Sequence, residues 1–274
     1  MPTKQCKHTT KETNLALSIR MHKVHLIDKY PPMTTWFISD LHLALEETAI
    51  TAGFYTFLLE PQSGDTLYIL GDFFNYWVGD DVNDEYANQI KQALKATSER
   101  GVKLFIMHGN RDFLIGETFC QQSGCTLLND PTLIDLDGEP VLLLHGDSLC
   151  TDDLEYMEFR AMARGDAWKN NFLSQPIEAR IAYAETARKQ SQNSNSEKDM
   201  SIMDVTPDAV SQILNKHNCA RMIHGHTHRP ATHDWQENGQ NMQRIVLGDW
   251  YTHGWYLKVE NGQYQNMKFD LPNS

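Results

Sequence analysis

Five short polar clusters follow apolar stretches of the chain, and their residue types suit the binding of divalent metal ions. The clusters are Asp40-Leu41-His42, Gly71-Asp72, Gly109-Asn110-Arg111-Asp112, His145-Gly146-Asp147 and Gly225-His226-Thr227-His228. Carboxylate, amide and imidazole groups bind hard to borderline divalent ions, and the thiolates that soft metals prefer are missing from every cluster. Because buried strands deliver the residues that follow them to one edge of a sheet, we expect the clusters to lie together.

The candidate ligands are too numerous for one tetrahedral ion. They are Asp40, His42, Asp72, Asn110, His145, His226 and His228. Such a set suits two ions that share one carboxylate, with manganese favoured over a structural zinc. Paired ions lower the pKa of a shared water molecule and neutralise charge on the attacking and leaving oxygens of a phosphoryl group. The residues therefore indicate hydrolysis of a phosphate ester.

The order of the clusters resembles the signature of the calcineurin-like metallophosphoesterase superfamily. That signature runs D-x-H, G-D, G-N-x-D, an isolated H and G-H-x-H, and the chain contains all five blocks in this order. The resemblance implies two ligand sets that share Asp72 as the bridge: Asp40, His42, Asp72 and His228 for one ion, and Asp72, Asn110, His145 and His226 for the other.

Each cluster taken alone also has a structural explanation. A histidine after an apolar strand, such as His145, is more often a hydrogen-bonded core residue than a ligand, and Asp40 and Asp72 would serve as helix caps. Neighbours of the clusters lie outside the matching positions. We expect these neighbours to orient ligands, cap helices or support the structure rather than bind metal: Asp112, Asp147 and His224.

Arg111 narrows the reaction, because many superfamily phosphomonoesterases carry histidine at this position. A guanidinium group grips phosphate oxygens and stabilises charge, but it does not readily donate a proton. A phosphate monoester has a second pKa of about 6 and leaves a diphosphate unaided, whereas the alkoxide of a phosphoserine needs a proton. We therefore predict diphosphate hydrolysis, with these catalytic residues: Asp72, Asn110, Arg111 and His226.

Three longer stretches resemble the UDP-2,3-diacylglucosamine diphosphatase family more closely: residues 38–43, 109–114 and 145–153. The resemblance begins at about Met33 and includes the later Gly248-Asp249-Trp250 segment. It implies hydrolysis of a UDP-linked diacyl sugar to UMP and a diacylglucosamine 1-phosphate in lipid A synthesis, usually with manganese. Water would attack the phosphorus nearer uridine. It further implies a cytoplasmic enzyme that is peripheral on the inner face of the inner membrane.

The same resemblance implies a set of substrate contacts: Asn110, Arg111, Asp153, Ser191, Asn195, Lys198 and His226. Composition alone would make residues 191–198 a solvated polar linker, and Asp153 would serve equally as a helix N-cap. The chemistry agrees with the implied role, because serine and asparagine offer hydrogen bonds to a nucleotide and Lys198 offers charge to a phosphate.

Residues 151–199 predict a helical cap inserted over the metals. Its apolar positions are Leu154, Met157, Met162, Trp168, Phe172, Ile177, Ile181 and Tyr183. The family resemblance implies that acyl chains lie between cap and core, and flexible methionine and aromatic side chains suit such a surface. Ordinary helix packing is the alternative explanation for each of these residues.

Charge and composition exclude some partners. A net charge of −12 argues against general nucleic-acid binding, which needs a basic surface. Residues 160–189 nevertheless hold six basic and three acidic residues, which would form either a patch for an anionic bilayer or a solvated helix face.

The five cysteines form no zinc-like pair and no complete disulfide framework. Because no apolar run approaches the ~20 residues of a membrane span, any membrane contact would be peripheral. No obligate protein partner is indicated.

Alternating strand and helix patterns predict an α/β fold of four layers, a central β-sandwich flanked by helices. The predicted strands are residues 35–39, 66–70, 102–107, 125–128, 132–136, 141–145, 220–224, 243–248 and 254–260. The predicted helices are residues 46–59, 83–99, 112–122 and 207–217, the last with Thr206 as N-cap and Pro207 at its first position. Residues 33–274 would form one metallophosphoesterase domain, and residues 1–32 a disordered extension or a segment upstream of a start at Met33.

Two other functions fit the same clusters. A soluble nucleotide diphosphatase or phosphodiesterase would share the metal centre and use the cap for a soluble substrate. A catalytically silent scaffold would keep the fold, although it has little need for two complete ligand sets.

Overall fold

Two β-sheets form the centre of the computed structural model, which describes residues 33–197 and 204–272. The expectation for residues 1–32 falls outside this range. The described strands are β1 (Thr35–Ile38), β2 (Thr66–Leu70), β3 (Lys103–Met107), β4 (Cys125–Leu128), β5 (Thr132–Leu136), β6 (Glu139–Leu143), β7 (Arg221–His224), β8 (Ala231–Glu237), β9 (Gln240–Val246), β10 (His253–Glu260) and β11 (Gln263–Asp270).

The first sheet has the strand order β11-β10-β1-β2-β3-β4 and the second has the order β5-β6-β7-β9-β8. Strands β1 to β4 run parallel, and so do β6, β7 and β9. Because parallel neighbours end at the same edge, the segments that follow these strands emerge together. This topology puts the loops that carry the predicted ligands at one edge of the two sheets.

Helices cover the outer faces of both sheets. The described α-helices are α1 (Thr48–Phe57), α2 (Glu85–Glu99), α3 (Glu117–Ser123), α4 (Leu154–Ala163), α5 (Asp166–Leu173), α6 (Ile177–Glu197) and α7 (Pro207–His217). A short 3-10 helix spans Asp147–Leu149.

The alternation of side chains along the strands builds three apolar layers. In β1, Trp36 and Ile38 pack with the helix residue Phe54, whereas Phe37 points into the space between the sheets. Successive strand residues point to opposite faces, so a strand buried on both sides is apolar throughout. Strand β6 behaves likewise, since Leu142 packs towards α7 and its neighbours pack between the sheets. The predicted four-layer α/β fold is confirmed.

Two strands were not predicted, and both are edge strands. Strand β8 has the sequence ATHDWQE and β11 the sequence QYQNMKFD, and most of their residues are at least partly exposed. Only scattered apolar side chains of these strands, such as Trp235 of β8 and Phe269 of β11, pack against the core, so their apolar alternation is sparse and resembles a loop. The helix predicted at residues 112–122 begins only at Glu117.

Helix α7 begins as predicted at Pro207, after Thr206. The Thr206 side chain makes no capping hydrogen bond. Its hydroxyl instead hydrogen bonds to the hydroxyl of Thr151. The predicted N-cap position of Thr206 and the start of the helix at Pro207 are therefore confirmed, although the Thr206 side chain does not bond to the first helical turn.

Helices α4, α5 and α6 occupy the interval assigned to the cap, and ion pairs hold α4 and α6 against the core. At one end, the Asp147 carboxylate accepts hydrogen bonds from Tyr156 and from Arg160 of α4. At the other end, Arg180 of α6 is 1% exposed, donates to the carbonyl of Val78 and pairs with Asp81.

The basic patch expected on the cap is partly wrong, because three of its six cations are engaged by the core. Arg160 and Arg164 both reach Asp147, and Arg164 also donates to the carbonyl of Gly109. Arg180 is the third. The buried Asp147 carboxylate needs positively charged donors, so Arg160 and Arg164 turn towards it. Arg180 is held instead by the Val78 carbonyl and by the exposed Asp81. None of the helices in the described part of the chain combines the length and apolar character needed to cross a bilayer.

The anchor at Arg180 predicts how firmly α6 is held. Replacing the guanidinium in Arg180→Met removes the donors to Val78 and Asp81, and we expect the local opening free energy of α6 to fall by about 1–3 kcal/mol. Hydrogen exchange followed by mass spectrometry should show that α6 of Arg180→Met exchanges faster than α6 of the wild type. Strands β2 and β3 of the variant serve as the internal reference. Lys189→Met removes one exposed charge from the same helix and should leave exchange unchanged. Equal exchange of α6 in both variants would contradict this anchoring role.

Candidate metal centre

The structure brings the seven predicted ligand residues together at the carboxyl ends of the parallel strands. Asp40, Asp72, His145 and His226 each lie two residues beyond the end of their strand, β1, β2, β6 and β7 respectively. Backbone hydrogen bonds join the first two loops, with the Asp40 N–H donating to the Gly71 carbonyl. Both sheets thus contribute side chains to one site.

Most of the candidate ligands have a backbone conformation that is uncommon for residues other than glycine. Five of the seven candidates have positive φ angles, which are 56° for Asp40, 52° for His42, 47° for Asp72, 67° for His226 and 56° for His228. Such left-handed residues cost free energy, and they cluster where the surrounding structure fixes functional side chains. The conformation turns the chain sharply after each strand, so that the side chains point into the site.

Two glycines allow the loops to approach closely. Gly71 has a φ of 87°, and a side chain there would meet the backbone of Gly109 and the ring of His145 at 2.6 Å. A side chain at Gly109 would collide with the backbone N and carboxylate of Asp72. Glycine is required at both positions, because the loops after β2 and β3 are in backbone contact.

Asp40, His42 and His228 form one cluster of possible ligand atoms. Asp40 Oδ1 lies 3.4 Å from His228 Nε2, and His228 Nε2 lies 3.3 Å from His42 Nε2. The second carboxylate oxygen of Asp40 is held from behind, because it accepts hydrogen bonds from the Ser39 hydroxyl and from the His226 N–H. This leaves one oxygen of Asp40 directed at the two imidazoles.

Asp72 lies between this cluster and a second one. Its Oδ2 is 3.8 Å from His42 Nδ1, and its Oδ1 is 3.7 Å from His145 Nε2. Asn110 Oδ1 lies 2.9 Å from the same His145 nitrogen, and the ring of His226 has its centroid 5.0 Å from that of His145. The two oxygens of Asp72 therefore face different imidazoles, as a bridging ligand would require.

The residues fit divalent cations. Within the described part of the chain, two groups of side chains have ligand atoms within 4.8 Å of one another, namely Asp40 with His42 and His228, and Asp40 with Asp72 and His145. The buried atoms Asp40 Oδ1 and His42 Nδ1 make no hydrogen bond to any described residue. Since a buried polar atom without a partner is costly, these atoms and the nitrogen and oxygen donor set suit a metal ligand role.

Buried charges shift the pKa values of the site strongly. Burial alone would lower the pKa of His145, but the carboxylates of Asp72 and Asp40 outweigh it and raise that pKa to about 9. Burial would raise the pKa of Asp40, yet the neighbouring His228 holds it well below its usual range. Burial and the positive charge of His145 together lower the pKa of His226 to about 3. The site concentrates opposite charges away from water.

The neighbours of the clusters support the structure, which is one of their expected roles. Asp112 accepts hydrogen bonds from the backbone N–H groups of Gly109, Phe73 and Phe74, so it orients no imidazole and caps no helix. Burial, followed by the charge of Asp72, raises the pKa of Asp112 to about 6.

The other two neighbours also act through the protein rather than as ligands. Asp147 orients no imidazole and holds α4, as described above. His224 is buried, with Nδ1 2.8 Å from the Gly225 carbonyl and Nε2 3.5 Å from Arg244. Its position agrees with the expected structural role.

A cleft of about 540 Å³ runs from the centre between the cap and the core. Asn110 and Arg111 line it at the metal end, and Trp168, Phe172 and Tyr183 line it on the cap side. The rings of Trp168 and Phe172 are stacked with centroids 4.7 Å apart. The cleft therefore joins a cationic, polar end to an aromatic end.

Some residues expected to face the acyl chains do not line this cleft. Leu154 and Met162 are 71% and 52% exposed on α4. Met157, Ile177 and Ile181 are also absent from the lining. Ion pairs at Asp147 and Arg180 hold α4 and α6 to the core, and the apolar pattern of the sequence does not contain these contacts.

The predicted substrate residues fall into two groups. Asp153 and Ser191 line the cleft with Asn110 and Arg111, and Asp153 also caps α4 by accepting a hydrogen bond from the Tyr156 N–H. His226 lies at the metal end, beside the ring of Tyr156. The Asn195 side chain and Lys198 lie outside the described residues.

Two aromatic residues at the site were missed. The Tyr251 ring lies parallel to His42, with ring centroids 5.3 Å apart. Tyr156 lies beside His226 and donates its hydroxyl to Asp147. Neither residue belongs to a metal-binding motif, so its type and spacing gave no signal.

Comparison with known proteins agrees with this geometry. Residues 33–230 match the family model of the calcineurin-like phosphoesterases. The UDP-2,3-diacylglucosamine hydrolase of Chromohalobacter salexigens is 50% identical over 231 residues, which cover 84% of this chain and 94% of that protein. A Pseudomonas aeruginosa UDP-2,3-diacylglucosamine hydrolase is 46% identical over 242 residues, which cover 87% of this chain and 100% of that protein.

Among solved structures, an archaeal phosphodiesterase aligns with 12% identity and a TM-score of 0.41, covering 86% of this chain and 100% of that one. The family match and the sequence relatives extend over most of this chain. The chain therefore belongs to the calcineurin-like phosphoesterases and, within them, to the family of the UDP-2,3-diacylglucosamine hydrolases.

Proposed function

We propose that this protein hydrolyses the diphosphate of UDP-2,3-diacylglucosamine to UMP and 2,3-diacylglucosamine 1-phosphate, a step of lipid A biosynthesis. One observation carries the proposal: the aromatic cleft between cap and core opens onto Arg111 and Asn110 beside the candidate metal centre. A diphosphate that carries a nucleoside on one side and acyl chains on the other needs both a cationic, polar centre and an apolar surface.

Two divalent ions, with manganese proposed, would be held by the seven residues at the strand ends. Asp40, His42 and His228 would serve one ion, and Asn110, His145 and His226 the other, with Asp72 shared between them. When bound, such ions acidify an attacking water molecule and neutralise charge on the phosphoryl oxygens.

Arg111 is placed to stabilise charge at the phosphates. Its backbone N–H donates to Asp72 Oδ1, and its side chain donates to Asn75 Oδ1. The side chain remains 25% exposed and lines the cleft, so donors remain for a ligand. Arginine binds phosphate oxygens with two parallel hydrogen bonds, which favours the charge that develops as phosphorus is attacked.

The reaction needs no strong acid from the protein. Water adds to the phosphorus nearer uridine, and the bond from that phosphorus to the bridging oxygen breaks. The leaving group is a sugar phosphate, whose second pKa is about 6, so it departs without a proton. This explains how arginine functions at a position where other phosphoesterases carry histidine.

The acylated substrate also suggests where the protein contacts a membrane. Leu154 and Met162 lie two turns apart on one face of α4 and are largely exposed. These two exposed apolar side chains, which flank the exposed Glu158, would enter the bilayer surface in a shallow, peripheral contact with the cytoplasmic face of the inner membrane. The net charge of −12 opposes nucleic acid as an alternative ligand.

The test of this function is manganese-dependent release of UMP from UDP-2,3-diacylglucosamine in detergent micelles. UDP-glucose and p-nitrophenyl phosphate are assayed alongside. If only three acyl methylene groups are buried, at about 0.8 kcal/mol each, kcat/KM for the acylated substrate should exceed that for UDP-glucose by about 50-fold. Equal rates with UDP-glucose would instead assign a soluble nucleotide diphosphatase. No turnover of any substrate by the metal-loaded protein would point to the scaffold alternative.

Asp72→Ala should abolish turnover because this carboxylate faces both ligand clusters. Loss of an outer hydrogen-bond partner lowers the activity of a metal site by up to about 100-fold. Because Asp72→Ala removes a ligand itself, we expect a larger fall in kcat. Circular dichroism should show an intact fold, and metal analysis should show lower manganese content. Activity close to that of the wild type would contradict the bridging assignment.

Arg111→Ala should lower kcat/KM by about 100- to 1,000-fold, because it removes charge stabilisation in the transition state. The manganese content should remain that of the wild type. Arg111→Lys retains the charge without the paired donors and should recover only part of the loss. If Arg111→Ala instead lost manganese and regained its rate at high manganese concentration, Arg111 would belong to the support of the metal site.

A further inference from the structure

Asp249 contacts a candidate metal ligand from outside the site. It lies in the loop between β9 and β10, which contributes none of the predicted ligands. Its Oδ2 is 3.3 Å from His228 Nδ1. In the described residues neither group of metal-compatible side chains includes Asp249. Its carboxylate therefore approaches the ring of His228 on the side away from the other ligands.

The other nitrogen of His228 points into the site. His228 Nε2 lies 3.4 Å from Asp40 Oδ1 and 3.3 Å from His42 Nε2. A neutral imidazole carries one proton, and the nitrogen without that proton is the one that binds a metal. His228 can present Nε2 to a cation only if its proton is on Nδ1, the nitrogen that faces the carboxylate of Asp249.

Asp249 is itself held in position. Its Oδ1 accepts a hydrogen bond from the backbone N–H of Tyr251, which leaves Oδ2 for His228. The intervening Trp250 is fully buried, packs edge-on against Phe57 and donates its backbone N–H to the carbonyl of Asp40. The carboxylate therefore sits on a fixed loop and is not a mobile surface group.

His145, in the second cluster, has an equivalent support from the main chain. Its Nδ1 lies 2.9 Å from the carbonyl of Leu70, while Nε2 faces Asp72 and Asn110. Each cluster thus contains one imidazole whose Nδ1 meets an acceptor behind it. For His145 the acceptor is a backbone carbonyl, whereas for His228 it is a side chain that mutation can remove.

We propose that Asp249 is a positioning residue that holds His228 in the tautomer with Nε2 available to a divalent ion. The inference rests on the metal centre of the proposed function. Asp249 touches neither the diphosphate nor the reacting water, and it acts through the ring of His228 alone. Loss of such an outer partner typically weakens a metal site by about 10- to 100-fold.

Binding of manganese alone to the metal-stripped protein tests the proposal. By isothermal titration calorimetry, Asp249→Ala should weaken one of two manganese sites by about 10- to 100-fold and leave the other unchanged. Asp249→Asn should retain most of the affinity, because its amide oxygen still accepts the Nδ1 proton. Asp270→Ala is the matched control, since it removes an exposed carboxylate 3.6 Å from a histidine remote from the clusters, His253.

The tautomer provides a second readout that does not depend on metal. Long-range ¹H–¹⁵N spectra of the metal-free protein, at a pH where the ring is neutral, should show the His228 proton on Nδ1 in the wild type and Asp249→Asn. In Asp249→Ala the proton should shift towards Nε2. Unchanged affinity, an unchanged tautomer in Asp249→Ala, or equal losses in both variants would overturn the proposal.

The two proposals fail in different ways. Wild-type protein that binds no manganese would refute the metal centre of the proposed function, and the tautomer measurement would still test Asp249. If Asp249→Ala does not fold, Asp249→Asn carries the test, because loss of its Nδ1 proton would overturn the positioning role.

Discussion

The close approach of the loops after β2 and β3 is the constraint on which the site depends. Gly71 and Gly109 lie in backbone contact, and the buried carboxylate of Asp112 ties both loops by accepting their N–H groups. A side chain at Gly109 would displace Asp72, whose two oxygens face imidazoles from different loops, and one at Gly71 would displace Gly109 and His145. The position of the carboxylate proposed as the bridge therefore depends on the absence of two Cβ atoms and on the acid Asp112, which holds the two loops together.

Charge balance is the second constraint. Three acids near the centre, Asp40, Asp72 and Asp112, are buried among imidazoles, and their pKa values shift in opposite directions. Protein interiors tolerate buried carboxylates only where cations or N–H donors compensate them. Asp112 uses backbone donors, whereas Asp40 keeps one oxygen without a hydrogen bond in the described residues. The hydrogen-bond donors thus distinguish two kinds of acid. Asp112 holds the loops, whereas Asp40 and Asp72 face the site.

The sequence predicted those features that are local in the chain. A ligand lies a fixed short distance beyond a strand, so the residues after β1, β2, β6 and β7 could be assigned to one edge before the fold was known. The four layers followed from the alternation of strands and helices. The edge strands β8 and β11 were missed, because too few of their residues are apolar to give a clear alternation.

Other features depend on contacts between distant parts of the chain. Arg180 turns inward because Asp81 and the Val78 carbonyl meet it there, a fact that the composition of the cap does not contain. Asp249 and Tyr251 reach the site from the loop after β9, and no motif spacing links them to His228 or His42. Asp112 was not predicted as a ligand, and its backbone partners are determined only by the packing of two loops.

The attachment of α4 at Asp147 has a consequence for building smaller versions of this protein. Asp147 lies two residues from His145 and is fully buried, and its donors come from Tyr156 and Arg160 of the cap. Deleting the cap would therefore leave the charged Asp147 without these donors inside the core, next to a candidate ligand. The cap therefore cannot be shortened or replaced at its ends without affecting the core. A shortened or grafted version would have to bring replacement donors for Asp147 as part of its own sequence.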